Sequence, residues 1–354
     1  MTACRLLPGI GLALLLAMLS LAFSEWLIRV VPSIAYVPIS PIMIAILLGI
    51  LITNSMRISP VYEAGLRFSV SRILQLGIVF LGIRLSLTEF ATIGISGVPV
   101  IAACIVTAIV LVTYCSKRMG LSPQLGSLIA VGTSICGATA IIATAPTISA
   151  RDHEVSYAVA CITIFGIIAM LVYPVGAHWL FDGDTRQTGL FLGTAVHDTA
   201  QVAGAGMVYA SLYSDDQVLN IATVTKLVRN LSMLIVIPAL SIAYHRNQGS
   251  EGKRAHWTSL VPLFIVGFAL MCVLRTVGDM GTTPFGVLTT AEWTALVELF
   301  KTIADVCLLA AMAAVGLSTS LAGIKSIGLK PLGMGLGAAA VVGLMSMTLI
   351  GTLY

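Results

Sequence analysis

Two short stretches concentrate the groups able to do chemistry. The first, Val131-Gly132-Thr133-Ser134-Ile135-Cys136-Gly137-Ala138-Thr139-Ala140, lies inside an apolar segment, residues 124–148, long enough to cross a bilayer. Glycines, hydroxyls and a thiol stand where a lipid-facing helix carries Leu, Ile and Val. Glycine weakens a helix, and Ser and Thr offer its backbone competing hydrogen bonds. The stretch therefore reads as a break in a membrane helix. Non-helical backbone at that depth persists only where protein or a wet cavity surrounds it, because lipid pairs no freed N–H or C=O. Close helix packing through small side chains is the competing reading.

The second stretch, Gly193-Thr194-Ala195-Val196-His197-Asp198-Thr199-Ala200-Gln201-Val202, repeats the Gly-Thr opening and then sets His, Asp and Gln in an apolar span. An intramembrane His-Asp pair is costly and points to function, the structural alternative being satisfaction by neighbouring helices. Half-helix N-termini present free N–H groups and partial positive charge, which suits an oxyanion near the bilayer midplane. Thr133, Ser134, Cys136, Gly137, Thr139 and Thr194 are the expected substrate contacts. Lys226 and Arg229 are three residues apart and share a helix face. Unpaired in a cavity they would attract an anion; paired with Asp198 or Asp305 they would be structural. The expected coupling groups are His197, Asp198 and Gln201, with Asp305 behind them, taking and releasing a proton or Na⁺. No cofactor is expected beyond that ion, and no metal site.

Composition sets the class. The 354 residues are 58% hydrophobic and 10% charged, with a mean hydropathy of +1.02, whereas soluble domains carry about a quarter charged residues. An all-α, polytopic membrane protein follows, with the lipid bilayer as its surroundings. The net charge of +4 is spread over short loops and leaves no nucleic-acid footprint. The seven cysteines lack the spacing of a disulfide framework or zinc site.

Hydropathy gives about eleven spans, near residues 7–28, 36–54, 73–88, 93–115, 124–148, 155–177, 188–211, 218–244, 257–275, 293–322 and 328–353. The first resembles a signal peptide with Ala22-Phe23-Ser24 as a cleavage region, but an uncleaved first helix is the preferred reading. With a cytoplasmic N-terminus, Arg5, Arg57, Arg67, Lys117, Arg118, Arg186, Arg246, Lys253, Arg254, Lys325 and Lys330 fall inside. Only Arg29, Arg151 and Arg275 fall outside. One extra helix, residues 1–30, would precede two inverted five-helix repeats, 31–180 and 181–354, in a single membrane domain. Ser69-Val70-Ser71-Arg72-Ile73-Leu74 then aligns with Thr223-Val224-Thr225-Lys226-Leu227-Val228. The broken fifth span aligns with the tenth, which carries Glu298, Lys301 and Asp305; an alternative pairs it with the seventh. Arg72 and Glu298 are expected at span ends, and Arg84 at a rim beside Glu89.

Gly132-Thr133-Ser134-Ile135-Cys136-Gly137-Ala138, the 193–202 stretch, Pro41-Ile42-Met43-Ile44-Ala45-Ile46-Leu47-Leu48-Gly49 and Leu76-Gly77-Ile78-Val79-Phe80-Leu81-Gly82 resemble the YeiH-like sulfate exporter family of bacterial inner-membrane proteins, over nearly the whole chain. The resemblance implies a secondary transporter distantly similar to the bile-acid and cation/proton antiporter fold, with a panel, a core and two crossing broken helices. The expected function is ion-coupled export of a small inorganic or organosulfur-derived anion, such as sulfate or sulfite, by alternating access. Related folds commonly form homodimers, and a homodimer is carried as an expectation. Two alternatives stay open. A cation/proton antiporter would bind its ion at Asp198 and Asp305. An intramembrane hydrolase would use Ser134 or Cys136 as nucleophile and His197 as base, but no nucleophile elbow or HExxH motif is present, and a non-enzyme is expected.

Overall fold

A computed structural model describes residues 5–30, 40–56, 58–248, 262–280, 284–320 and 329–354. Every regular element among them is helical, and the described residues of each span read from hydropathy lie mainly in helix. Seven helices are long and apolar enough to cross a membrane among the described residues, and Pro41–Ser55, Ala138–Ile148 and Leu263–Gly278 are shorter apolar helices. Of the cations used to orient the chain, Arg57, Lys253, Arg254 and Lys325 lie outside the described residues, as does the side chain of Arg246.

The contacts divide the chain into two units, each assembled from both halves of the sequence. The first comprises Met1–Thr92, Gly206–Asn220 and Leu263–Leu321. Its central element is Thr290–Leu317, which packs on Pro41–Ser55, Leu74–Leu81 and Leu7–Val30. That helix starts at Thr289, whose hydroxyl and the Glu292 carboxylate cap each other's backbone N–H groups, satisfying donors a helix start leaves free. It runs unbroken to Leu317, so the tenth span carries no break from residue 293 to residue 317. Glycines set the closest crossings. A Cβ on Gly49 would stand 2.7 Å from the Leu317 nitrogen, and one on Gly316 would stand 2.5 Å from the Ile46 carbonyl. Such backbone approaches are how membrane helices gain contact without a hydrophobic driving force.

The third span is longer than hydropathy indicates, covering Pro60–Arg84. Its middle, Ser69–Ile73, is a π-helical turn. Ser69 Oγ donates to the Gly65 carbonyl at 3.0 Å and Ser71 Oγ to the Arg67 carbonyl at 2.9 Å, which supports the carbonyls that the wider turn leaves poorly paired. Thr223–Val228, aligned with this turn in sequence, lies in the ordinary α-helix Asp216–Leu231. The span ends in a 3₁₀ turn, Gly82–Arg84, and the partners of Arg84 at that span end are carboxylates other than Glu89. Its guanidinium binds both oxygens of Asp305, at 2.6 and 2.8 Å, and Asp216 at 3.2 Å. Glu89 instead accepts from the Ser86 N–H and hydroxyl.

The second unit comprises Ile93–Ala205, Ile221–Pro262 and Ala322–Tyr354. Asp152–Leu180 and Leu329–Leu353 pack on Pro123–Ser134, with Leu128, Ile129, Ile141, Ile162 and Ala338 forming a closed apolar cluster. A Cβ on Gly132 would lie 2.4 Å from Ile162 Cδ1 and 2.7 Å from Ile141 Cδ1. That glycine is there for close packing.

Gly49→Val and Gly316→Val should each destabilise the protein by about 1–3 kcal/mol, the usual cost of overpacking. Gly11→Val should be neutral, since a Cβ there meets nothing within 4 Å. Thermal unfolding of the full chain in detergent checks the contrast.

Candidate functional site

Both motif stretches are helix breaks. Pro123–Ser134 stops at Ile135, whose φ of −117° and ψ of −86° leave the helical region, and Ala138–Thr144 resumes after Gly137. Gly137 has φ +69° and ψ −132°, a conformation only glycine adopts readily. The Ile135 side chain is buried and Cys136 donates to Met233 Sδ at 3.2 Å. The second break lies between Thr185–Ala195 and Thr199–Tyr213, with Val196 extended at ψ 140°. The seventh span, not the tenth, is therefore the second broken one, as the alternative pairing has it.

Each break frees carbonyls at the end of one half-helix and N–H groups at the start of the next. Two cations of Asp216–Leu231 take the carbonyls. Lys226 and Arg229 both have 0% exposure. Arg229 Nε donates to the Ser134 carbonyl at 2.7 Å, and Nη1 donates to Thr194 at 2.6 Å and Val196 at 3.0 Å. Its Nη2 donates to the Thr133 carbonyl. Lys226 Nζ donates to the carbonyls of Ile135 at 2.9 Å, Val196 at 3.3 Å and His197. Among the described residues, no ion pair within 4.0 Å joins either cation to a carboxylate. The spacing of three that places them on one face lets a single helix close both breaks.

Asp198 takes the N–H groups. Its Oδ1 accepts from Ala200 N at 3.0 Å, while Gln201 Oε1 accepts from Asp198 N at 3.0 Å. Asp198 thus caps the N–H two residues on, and Gln201, three residues on, caps the N–H of Asp198 in return. The same carboxylate meets the Ala138 N–H, and a Cβ on Gly137 would lie 2.6 Å from its Oδ2. One anion thus serves the start of both second half-helices. Gln201 Nε2 reaches the Thr163 carbonyl at 3.3 Å, and its amide lies over Gly166, where a Cβ would stand 1.9 Å from Oε1.

The expected substrate-contacting residues separate into buried and accessible groups. Thr133, Ser134, Cys136, Gly137 and Thr194 are buried. Ser134 Oγ donates to the Val131 carbonyl at 3.4 Å. Thr194 Oγ1 bonds the Leu190 carbonyl at 2.7 Å and Ser346 Oγ at 2.5 Å. Ala138, Thr139, Asp198 and Thr199 are the members of the breaks that reach the surface. His197 is buried, its ring meets the Thr133 carbonyl, and Nδ1 has no hydrogen-bond partner. Neither hydrogen-bonded hydroxyl nor thiol is paired with that nitrogen. Asp305 lies in the other unit, held by Arg84. Lys226 and Arg229 face backbone carbonyls, and neither Asp198 nor Asp305 is their partner.

Three contributors escaped the sequence reading. Asn230 Nδ2 donates to Thr199 Oγ1 at 3.2 Å, Met233 receives the Cys136 thiol, and Gly166 makes room for Gln201. Asn230 carried a usable signal, being a buried amide one residue past Arg229 on an otherwise membrane-compatible helix. Gly166 carried none.

Helices of this hydropathy, two of them broken around buried charge, define a multi-pass α-helical membrane protein. A family model described as Conserved hypothetical protein 698 matches residues 8–335, and the chain belongs to that family, in keeping with the YeiH-like resemblance of its motifs. It is similar to a UPF0324 membrane protein of Fusobacterium nucleatum subsp. nucleatum, 30% identical over 316 residues, covering 88% of this chain and 89% of the relative. A UPF0324 membrane protein of Streptococcus agalactiae serotype V is 30% identical over 345 residues, covering 97% and 96%. One from Photorhabdus laumondii subsp. laumondii is 31% identical over 336 residues, covering 93% and 88%. No solved structure matches the chain.

Two measurements probe this geometry. Arg229→Met strands the Ser134 and Thr194 carbonyls and leaves Val196 to Lys226 and Thr133 to His197, each unpaired buried group costing about 1–3 kcal/mol. The variant should fail to give a monodisperse protein in detergent, while Arg229→Lys should retain part of the folded yield. The second is a double-mutant cycle. Gly166→Ala should destabilise by about 1–3 kcal/mol through its collision with Gln201, and Gln201→Ala by about 0.5–2 kcal/mol through loss of the cap. Together they should cost at least about 1 kcal/mol less than their sum, because truncating Gln201 removes the collision; additivity in thermal unfolding would refute the contact.

Proposed function

We propose that this protein is a secondary active transporter of the bacterial inner membrane, with a cytoplasmic N-terminus, exporting a small anion such as sulfate or sulfite by ion-coupled alternating access. The supporting observation is the charge balance of the two breaks. Asp198 is the one carboxylate among the residues of the two breaks, set against two cations, Lys226 and Arg229, and the helix ends meeting there, two C-termini and two N-termini, offset each other. An ionised Asp198 leaves one positive charge in excess, and a protonated or Na⁺-bound Asp198 leaves two. The field of the breaks favours an anion.

Both cations donate to carbonyls, so they supply attraction without caging the ligand. A carrier must release what it binds. The anion's place in this reading is the accessible side, at the start of Thr199–Tyr213, with Thr139 and Thr199 as hydroxyl donors. Thr133, Ser134, Cys136, Gly137 and Thr194 form its buried floor. Asp198 already occupies that helix start, so neutralising its charge admits the anion, and this exclusion is the coupling. Gln201 holds the Asp198 backbone in position, and His197, beside it in sequence, shares the coupling role in this reading. The reading involves no enzymatic step and no cofactor beyond the coupling ion.

The test is sulfate and sulfite flux in proteoliposomes under imposed proton or sodium gradients. The intact protein should show saturable, gradient-driven anion flux, and Asp198→Asn should lower the gradient-driven component at least roughly tenfold, the effect of about 1.4 kcal/mol. Dissipation of a gradient with no anion present would overturn this reading in favour of a cation/proton antiporter.

A further inference from the structure

A cavity of about 430 Å³ lies in the second unit, and no residue of the breaks themselves lines it. Its walls come from Leu87–Arg118, Pro123–Ser134 and Met233–Gln248, including Ile109, Val110, Tyr114, Lys117, Leu240 and Tyr244. From Ile109 to Lys117 the groove follows the helix for about 12 Å, at 1.5 Å per residue. Both serine hydroxyls of its lining are taken by their own helices: Ser116 Oγ donates to the Val112 carbonyl at 2.6 Å and Ser127 Oγ to the Pro123 carbonyl at 2.8 Å. Tyr244 OH is taken by Gln124 Nε2 at 2.6 Å. The groove therefore offers mainly carbon surface to an occupant.

One end of the groove is cationic. Lys117 and Arg118 are exposed in the last turn of Leu87–Arg118, where they complement the helix C-terminus. The Arg118 guanidinium lies over the Tyr114 ring, 5.3 Å from its centroid. Among the described residues neither cation has a carboxylate partner. The outer wall continues into the exposed apolar face of the same span through Val106, Val110 and Tyr114, so an acyl chain reaches the groove from the bilayer.

We propose that this groove is a specific site for an anionic phospholipid, with one acyl chain between Val110 and Leu240 and the phosphate held by Lys117 and Arg118 beside Tyr114. Basic groups at the mouth of a pocket between membrane helices suit an anionic head group, and apolar packing holds the chain. Soluble phosphate alone lacks the part of the ligand that fills the groove.

The test is titration of the purified full chain in neutral detergent with phosphatidylglycerol and, separately, phosphatidylcholine, read by native mass spectrometry. Phosphatidylglycerol should be retained preferentially. Lys117→Ala and Arg118→Ala should each weaken its retention about fivefold, the worth of one cation near an anionic lipid, and leave phosphatidylcholine unchanged. Val110→Trp, which keeps both cations and fills the groove, should displace the lipid as well; its unfolding midpoint, matched to the intact protein, certifies the fold. Equal retention of both lipids by the intact protein, or phosphatidylglycerol retention indifferent to all three substitutions, would overturn the proposal.

Discussion

A carbonyl freed inside a membrane has to be paired by protein, and the pairing of two sets of such carbonyls by Lys226 and Arg229 is the constraint on which the central region depends. Each helix interruption would leave several polar groups without water, at a few kcal/mol apiece. Closing both from one helix face fixes two segments relative to a single element. Pro123–Ser134 and Thr185–Ala195 end where their carbonyls meet Arg229, and Asp216–Leu231 has to present positions 226 and 229 toward both. The register of that helix follows. Its Thr225 fits against Gly193, where a Cβ would lie 2.6 Å from the threonine Cβ, and Asn230 extends the same face to Thr199.

The opposite ends of the breaks are closed by a different economy of groups. One carboxylate serves two helix starts, because Gly137 lets Asp198 approach the backbone of the first break while Asp198 caps its own helix. Gln201 caps the Asp198 N–H and is itself held at Thr163. Polar pairing therefore runs from the second break through Gln201 into Asp152–Leu180, whose apolar side packs on Pro123–Ser134. A change in the charge of Asp198 acts on helix starts in both breaks at once. That is the physical content of the coupling we propose.

Much of this was legible in the sequence. Glycines and hydroxyls in place of branched aliphatics marked the first break, and the recurrence of Gly-Thr before a His-Asp pair marked the second. The spacing of Lys226 and Arg229 gave their shared face. Their partners were not legible, because a backbone carbonyl has no side-chain signature and the sequence search could pair them only with Asp198 or Asp305. Gly132 and Gly137 look alike in sequence; one is an atom-to-atom packing site and the other a left-handed turn, and only the fold separates them. The partners of Arg84 escaped for the same reason. Asp216 and Asp305 are remote from it in sequence and adjacent to it in space.

Arg84 and Arg229 also show two ways of keeping a guanidinium in an apolar protein, with different consequences. Arg84 stands between Asp216 and Asp305, which bring more negative charge than it carries. Its charge is spent locally, and its Nε is left without a partner. Arg229 is surrounded by carbonyl dipoles, which satisfy its donors but leave its formal charge in place. Dipoles fall off faster with distance than charges, so beyond the first shell Arg229 and Lys226 still act as cations, moderated only by Asp198. A protein that needed these residues for architecture alone would gain by pairing them with carboxylates, as Arg84 is paired. Solvating them with backbone instead preserves a positive field at the point where both helices are interrupted, and it is on that field that the anion transport we propose rests.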